Sequence, residues 1–337
     1  MRKRKICAIL MLVCLCLSGC VSEENLQAHL QKKETSFTLW GASGTKMLDQ
    51  LLAEKPVEQV YLERVEISEG FLKTDFTVSY SDCTAPRDEI DVVQDDQALS
   101  DAFKKILNDC KSSGVIVFKG RGDNPPDLSE LRTRLEKENY LDTMGVDTIN
   151  YTAGNGDFTK DLTLEYRLSF YDGKSEDEIK AARESVRKKT AQLADRLRAD
   201  STLETVRQIH DWLVDHAAYD EKEEGVLIDH TPYGVLLEGK GVCDGYTYAA
   251  KLLLDAVGIE NEVAMGKADG EDHAWNLVRV DGQYYHMDVT WDDPVDTSGK
   301  NHKLYDYFLI GNKKMAADHT WEKPTVTVSD QNFPKNF

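Results

Sequence analysis

Residues 273–291, HAWNLVRVDGQYYHMDVTW, place the strongest constraint on the fold. They contain Asp281-Gly282 between two runs rich in β-branched and aromatic residues, which is typical of a hairpin with a two-residue turn. If these two residues form the turn, Val280 pairs with Gln283, and the register of the whole hairpin follows. A shift of one residue would move every side chain to the opposite face of its strand.

This register places a histidine and an aspartate on one face of the hairpin. His273 lies opposite Thr290 and Trp275 lies opposite Asp288, so the four side chains share a face. His273 and Asp288 are then diagonal neighbours with backbones about 7–8 Å apart, within reach of an imidazole–carboxylate contact. The hairpin therefore predicts a histidine whose ring is oriented by a carboxylate.

A cysteine stands at the predicted start of a helix. Cys243 follows Gly239 and Gly241 and precedes an apolar stripe with helical spacing. A thiol at this position faces the positive end of the helix dipole, which favours the reactive thiolate, and the same N–H groups could bind an oxyanion. A thiol nucleophile needs a base, and the base needs an orienting acceptor. Cys243, His273 and Asp288 are one set that fits these roles.

Three blocks of this region resemble the transglutaminase-like superfamily, especially its bacterial extracytoplasmic members. They are HDWLVDHAAYD, GVCDGYTYAAKLLL and HAWNLVRVDGQYYHMDVTWDDP, followed downstream by YFLIGNKKM. The resemblance implies a papain-like α+β fold with a catalytic cysteine on a helix and a histidine and an aspartate on neighbouring strands. By position these are Cys243, His273 and Asp288. Family analogy also implies Tyr233 as a side chain that binds the oxyanion, with a packed loop aromatic as the alternative.

Two tryptophans and several acids flank the predicted triad. Trp275 and Trp291 are predicted to wall the cleft, the alternative being pure core packing. Asp292, Asp293 and Asp296 could contribute oxygen ligands for calcium, but their spacing does not match an EF-hand loop. We therefore predict a solvated acidic loop and neither a metal nor a cofactor.

Three other histidines in the same part of the chain are predicted to lie outside the triad. His210 and His216 are six residues apart on a predicted helix and do not share a face, so surface or capping roles are favoured. His286 shares the predicted face of Asp288, where it either lines the cleft or makes a simple cross-strand contact.

The start of the chain predicts export. MRKRK, an apolar run at 6–17 and small residues before Cys20 form a secretory signal. The run is shorter than the ~20 apolar residues of a spanning helix. The stretch LSGC resembles a bacterial lipobox, which implies cleavage before Cys20 and a lipid on its thiol; an ordinary signal peptide is the alternative. We thus expect a lipid-anchored protein on the extracytoplasmic face of the cell membrane.

The net charge and the cysteine content indicate which binding partners and which disulfides are possible. The chain carries a net charge of −19, and the charged residues of its leader are all positive, so the negative charge lies in the rest of the chain. This negative charge opposes binding to nucleic acid. Cys83, Cys110 and Cys243 remain after the leader and the anchor, and an odd number leaves at least one thiol free. Pairing of Cys83 with Cys110 stays open, although Cys110 falls on the apolar face of a predicted helix.

The domain prediction has four parts: a leader at 1–19, a polar tether at 20–36, an α+β domain of unknown role at 37–172 and the catalytic domain at 173–337. In the first domain, 58–67 and 72–80 are predicted strands joined near Gly70, and the alternating residues 162–170 are a half-buried strand. Ser175 and Ser201, each followed three residues later by a glutamate, predict the starts of two helices in the second.

Together these patterns predict a membrane-anchored enzyme that performs thioacyl chemistry on the amide bonds of a peptide or protein substrate. Resolution of the thioacyl intermediate by water would give a peptidase or amidase, and resolution by an amine would give crosslinking. The alternative is a non-catalytic cell-surface module that binds peptide or glycan in the same cleft.

Overall fold

The structure is a computed structural model that describes residues 22–334 except 42, 139, 157, 221–226 and 295–302. The predicted leader, Cys20 and Asp296 lie outside the described residues. Backbone contacts divide the chain into two compact units. The first comprises the chain through Ile106, Lys111–Leu131 and Ile149–Leu168, and the second comprises Leu107–Cys110, Arg132–Thr148 and the chain from Ser169 onward.

Two sheets lie between residues 22 and 170. In chain order the helices and strands are α1 (Glu23–Gln31), β1 (Ser36–Trp40), α2 (Gly44–Glu54), β2 (Leu62–Glu69), β3 (Lys73–Tyr80), β4 (Asp91–Val93), α3 (Asp96–Asn108), β5 (Ser113–Phe118), α4 (Leu128–Glu138), α5 (Tyr140–Thr143), β6 (Val146–Gly154) and β7 (Leu162–Phe170). One sheet is antiparallel with the order β1-β3-β2, and the other has the order β4-β5-β7-β6.

Most of the predicted strands of this region are confirmed. The β2–β3 hairpin reverses at Gly70, although 58–61 form a 3₁₀ turn and not part of a strand. Along β7 the buried residues Leu162, Leu164 and Tyr166 alternate with more exposed ones, as the sequence pattern predicts. Cys110 is buried as predicted, whereas Cys83 and Cys110 are both free thiols and form no disulfide.

The predicted tether is corrected by the structure. Glu23–Gln31 of this segment form α1, and Ser22 caps the helix because its hydroxyl accepts a hydrogen bond from the Asn25 N–H. Leu26 and Leu30 are buried in one cluster with the inner face of the β1-β3-β2 sheet. These two leucines are one turn apart and lie on one helix face, so they supply an apolar stripe although the segment is polar overall.

The second unit contains a four-stranded antiparallel sheet packed against helices. From residue 173 its elements are α6 (Glu176–Leu197), α7 (Thr202–His216), β8 (Ala218–Tyr219), β9 (Lys240–Gly241), α8 (Cys243–Val257), β10 (Asn261–Ala268), β11 (Glu271–Val280), β12 (Gln283–Met287), α9 (Asn312–Met315) and β13 (His319–Trp321). The sheet has the order β12-β11-β10-β13, and one cluster of apolar side chains joins it to α6, α7 and α8. No helix within the described ranges is both long and apolar enough to cross a membrane.

Side chains at the helix starts explain where α6 and α7 begin. Ser175 and Glu178 form the predicted capping box, and the Ser201 hydroxyl accepts from the Glu204 N–H at the start of α7. Arg183 of α6 is buried and donates to the carbonyl oxygens of Met144 (2.8 Å) and Leu107 (2.5 Å). These hydrogen bonds connect α6 to segments that precede residue 173. The segments belong to the second unit, whereas the predicted boundary assigned them to the first domain.

Candidate active site

The Asp281-Gly282 hairpin forms with the predicted register. Val280 pairs with Gln283 and Asn276 pairs with Met287 between β11 and β12. Asp281 and Gly282 both have positive φ angles, 49° and 84°, as a two-residue hairpin turn of this type requires. The turn therefore fixes which side chains of β11 face the helix α8.

The sulfur, the imidazole and the carboxylate of the predicted triad meet at one point. Cys243 is the first residue of α8, and its side chain lies close enough to the His273 ring, near the start of β11, to raise the pKa of that ring. His273 Nε2 lies 2.7 Å from Asp288 Oδ2, just past the end of β12. Because Nε2 is engaged by the carboxylate, Nδ1 is the nitrogen left to exchange a proton with the thiol.

The environment of the pair favours a charged imidazole and a charged carboxylate. Burial opposes protonation of His273, but the hydrogen bonds and charges of Asp288 and Cys243 outweigh it and raise its pKa to about 10. Burial likewise favours the neutral form of Asp288, yet its hydrogen bonds to His273 and His319 hold the pKa of this carboxyl below its usual range. At neutral pH the imidazole is therefore protonated and forms an ion pair with Asp288.

A second histidine, absent from the sequence predictions, packs behind the first. His319 begins β13 and is buried, with its Nε2 at 3.3 Å from Asp288 Oδ2 and its Nδ1 at 2.6 Å from Asp318 Oδ1. The Tyr307 hydroxyl donates to the other Asp318 oxygen at 2.6 Å. The chain His273–Asp288–His319–Asp318 thus continues the triad inward as a row of alternating imidazoles and carboxylates.

The two tryptophans support the triad and do not wall the cleft as predicted. Trp275 is 1% exposed, and its indole N–H donates to His286 Nδ1 at 2.8 Å. His286 is buried with it, bonds Asn312 through Nε2 and does not line the cleft; burial lowers its pKa to about 4. The Trp291 backbone N–H donates to Asp288 Oδ1 at 3.2 Å, and its ring packs edge-on to His319.

An open cavity of about 720 Å³ reaches the thiol from the surface. Its lining includes Cys243, His273 and the side chains of Met265 and Trp321. Tyr233, the predicted oxyanion residue, is not part of this lining and packs instead against the apolar core.

A second histidine–aspartate pair borders the cleft. His230 Nδ1 lies 2.9–3.0 Å from both carboxylate oxygens of Asp244, the residue that follows Cys243. Both side chains line the cavity and are partly exposed. No sequence signal identified this pair, because His230 is thirteen positions before the cysteine and meets it only through the fold.

The aspartates after the triad are not a solvated loop as predicted. Asp292 is buried and contacts His210 Nε2 at 3.2 Å, so His210 is a core residue and not a surface one. Burial lowers the pKa of His210, but hydrogen bonds to Asp211 and Asp292 raise it overall. Asp293 accepts from the Tyr246 hydroxyl at 2.6 Å, and burial raises its pKa to about 7.

One group within the described ranges could supply three metal ligands. Ligand atoms of His273, Asp288 and His319 lie within 4.8 Å of one another. The Asp288 oxygen nearest to both rings is already hydrogen-bonded to His273, so a metal would have to displace that bond. We therefore describe the group as a hydrogen-bonded His273–Asp288 pair with the His319 ring in contact with the same carboxylate oxygen.

Comparison with known proteins assigns the region around this site. Residues 191–289 match the family model described as the transglutaminase-like superfamily. Over 142 residues the chain is 30% identical to the kyphoscoliosis peptidases of Mus musculus and Homo sapiens, a match covering 36% of this chain and 21% of theirs. The crystal structure of a TGase aligns over 75% of this chain and 79% of its own, at 13% sequence identity and a TM-score of 0.28.

Proposed function

We propose that this chain, whose residues 191–289 belong to the transglutaminase-like superfamily, is a cysteine-dependent enzyme acting on amide bonds of a peptide or protein. The observation that carries the proposal is the position of one imidazole between a thiol at a helix N-terminus and a fully buried carboxylate. The chain spans about a fifth of the length of its curated relatives, so activity, substrate and anchoring are all proposals.

In the first half-reaction the Cys243 sulfur attacks the carbonyl carbon of the substrate amide. His273 Nδ1 already holds the proton taken from the thiol, because the pKa of this ring is about 10, and Nε2–H remains hydrogen-bonded to Asp288 Oδ2. The C–N bond of the tetrahedral intermediate then breaks, and the imidazolium gives its proton to the leaving amine. The products are a free amine and a thioester on Cys243.

In the second half-reaction the neutral imidazole takes a proton from the nucleophile that attacks the thioester. Water yields a carboxylic acid and completes hydrolysis, whereas a primary amine yields a new amide and completes transfer. Both routes restore the thiol and use the same three side chains. The cavity is open to solvent and admits either nucleophile, so competition between the two decides the outcome.

Charge on the tetrahedral oxygen would be stabilised at the start of α8. Cys243 is the first residue of this helix, where backbone N–H groups and the helix dipole favour an anion. His230 is our candidate for a side-chain donor in place of Tyr233, because it lines the cleft and Asp244 fixes the orientation of its ring. Asp288 fixes the orientation of His273 in the same way.

Lipid attachment at Cys20 on the extracytoplasmic face remains part of the proposal. It is supported by the basic, apolar and small-residue segments of the leader and by the LSGC stretch. A membrane location would bring the enzyme to protein or peptide substrates outside the cytoplasm, and the strong negative charge gives no reason to expect nucleic acid as a partner.

Intact-mass analysis with a peptide library tests the enzymatic proposal. We expect a transient thioacyl adduct on wild-type protein, turnover to acid or amide, and no adduct or turnover for Cys243→Ala. Cys83→Ala is the matched control, because Cys83 is a partly exposed free thiol in the first unit. Peptide retained by both wild type and Cys243→Ala without any product would instead support the binding module.

Thiol alkylation provides an independent readout. Iodoacetamide should label Cys243 faster than a free thiol, and His273→Ala should slow that labelling. Burial raises the pKa of the Cys110 thiol, so this cysteine should stay unlabelled in the folded protein. Labelling of Cys243 that is no faster than a free thiol and unaffected by His273→Ala would contradict the catalytic assignment.

A further inference from the structure

Three large apolar side chains are exposed together at one end of the first unit. Trp40, Phe71 and Leu72 expose 57%, 93% and 64% of their surface, and we refer to them as the apolar tip. The chain is otherwise strongly charged, with 30% of its residues Asp, Glu, Lys or Arg. A cluster of exposed apolar side chains on such a surface indicates contact with another apolar phase or molecule.

The backbone brings these three residues together and holds them in place. Trp40 ends β1 and pairs with Lys73, the first residue of β3. The Gly41 N–H donates to the Leu72 carbonyl oxygen at 2.9 Å, and the Gly70 N–H donates to the Lys73 carbonyl oxygen at 2.8 Å. The apolar tip is therefore an ordered projection built on the β2–β3 turn, and the opposite face of the same sheet already covers the core.

The length of chain between the predicted lipid and the fold indicates what covers the tip. Only Val21 separates Cys20 from Ser22, the residue that caps α1. Two residues of chain span at most about 7 Å, so a lipid attached to Cys20 would be tethered within that reach of the cap of α1. Because α1 is folded into the first unit, a lipid on Cys20 would hold this unit directly against the bilayer.

The direction of α1 relates this anchor to the tip. The chain after α1 lies beside the last residue of β3, since the Glu34 carbonyl oxygen accepts from the Tyr80 hydroxyl at 2.9 Å. Tyr80 and the tip are at opposite ends of β3. Ser22 is at the opposite end of α1 from this contact, so the lipid would be attached at the end of the helix that lies away from Tyr80.

We propose that Trp40, Phe71 and Leu72 insert into the boundary between headgroups and acyl chains of a phospholipid membrane. Aromatic side chains favour this zone, and a few apolar groups at the interface add a second contact to a lipid anchor. Nearby charges are already engaged, as Lys73 pairs with Asp75 at 3.0 Å and Glu69 accepts from the Thr45 N–H at 2.8 Å. Attraction by the tip is therefore apolar and not electrostatic.

Vesicle flotation of the otherwise complete mature chain carrying Cys20→Ala tests this contact without the lipid. We expect partitioning onto phosphatidylcholine vesicles that changes little with added salt, and at least about tenfold weaker partitioning for the doubly substituted Phe71→Glu, Leu72→Glu protein. Tyr151→Glu, which alters an aromatic residue that is 47% exposed elsewhere in the first unit, should partition like wild type.

The orientation of the tip rests on the proposed anchoring, but the flotation result does not depend on catalysis. Cys243→Ala should bind vesicles as wild type does, so loss of activity and loss of membrane contact are separable. The proposal is overturned if wild type and the double variant partition equally. It is also overturned if binding requires anionic lipid and disappears with salt, or if the double substitution abolishes self-association in sedimentation without affecting vesicle binding.

Discussion

The two units bury different kinds of side chain. The core of the first consists of apolar residues such as Leu26, Leu51 and Phe76, and its buried carboxylate Glu58 is met by two hydrogen bonds from Arg87. Around the site of the second unit, aspartates and histidines are at most 1% exposed: His210, His286, Asp288, Asp292, Asp293 and His319.

This difference bears on stability, because the second unit buries more ionisable side chains than an apolar core would. Taking a charge out of water costs several kcal/mol unless a partner and further hydrogen bonds compensate for it, and an apolar core of equal volume is often as stable. The core of the first unit is largely apolar. The second contains buried imidazole–carboxylate pairs such as His273–Asp288, and the proposed reaction requires this pair because the carboxylate orients the ring and keeps it ionised.

The largest expected effect follows from Asp288→Asn. The amide would leave the backbone nearly unchanged but would remove the charge that orients and protonates His273. We expect kcat to fall by roughly 10⁴-fold, as when the orienting carboxylate of such a triad is neutralised. Single-turnover acylation rates measure this, with Asp75→Asn in the first unit as the control; equal rates for Asp288→Asn and wild type would exclude a role for the carboxylate.

A substitution at Asp292 tests the cost of buried charge in the second unit. Asp292→Ala removes one of the two carboxylates that contact buried His210 and also the acceptor of the Tyr307 N–H, so we expect the free energy of unfolding to drop by about 3–5 kcal/mol. Asp75→Ala removes an exposed carboxylate of the first unit and should change it by less than about 1 kcal/mol. Urea unfolding followed by far-UV circular dichroism compares the two, and similar values would remove the contrast between the units.

A leucine pair tests whether α1 is part of the first core. Leu26→Ala should lower the free energy of unfolding by about 2–5 kcal/mol, because a fully buried leucine is truncated and leaves a cavity. Leu72→Ala makes the same change at an exposed position of the same unit and should cost less than about 0.5 kcal/mol. If both variants unfold at the same urea concentration, residues 23–31 act as a tether after all.

The response to alkaline pH tests the ionised imidazole of the second unit. His273 has a folded pKa of about 10, above its ordinary 6.5, so its stabilising contribution is complete below pH 6.5 and is lost as pH rises through about 10. Activity should fall over the same upper limit, since the neutral ring cannot protonate the leaving amine. A pH–rate profile measures it, and Asp288→Asn should move the alkaline limb to lower pH; an unmoved limb would assign the titration to another group.

Parts of the site could be predicted from local chemistry. The Asp281-Gly282 turn sets the register of a hairpin, and the register puts His273 within reach of Asp288, as the 2.7 Å contact confirms. The glycines before Cys243 and the apolar stripe after it likewise predict a helix that starts at the cysteine. These signals are local, since turn type and side-chain alternation act over a few residues.

Other parts depended on contacts between distant segments. His319 reaches Asp288 because β13 pairs with β10, where Gly266 faces Trp321 and a Cβ atom at Gly266 would meet the Thr320 carbonyl oxygen at 1.9 Å. No local pattern indicates that a three-residue strand joins this edge. Burial of Asp292 and Asp293 was missed for the same reason, because an acidic run is usually solvated unless distant donors meet it.

The sequence by itself determined the hairpin, the helix that begins at Cys243 and the pairing of His273 with Asp288, because each depends on dihedral preferences and alternation within one short segment. Only the tertiary structure decided which histidine stands behind Asp288, which acids are buried, that Trp275 lies in the core and that Tyr233 packs against it. Those outcomes depend on long-range packing, because a polar group is buried at little cost only when a residue from elsewhere in the chain forms a hydrogen bond with it.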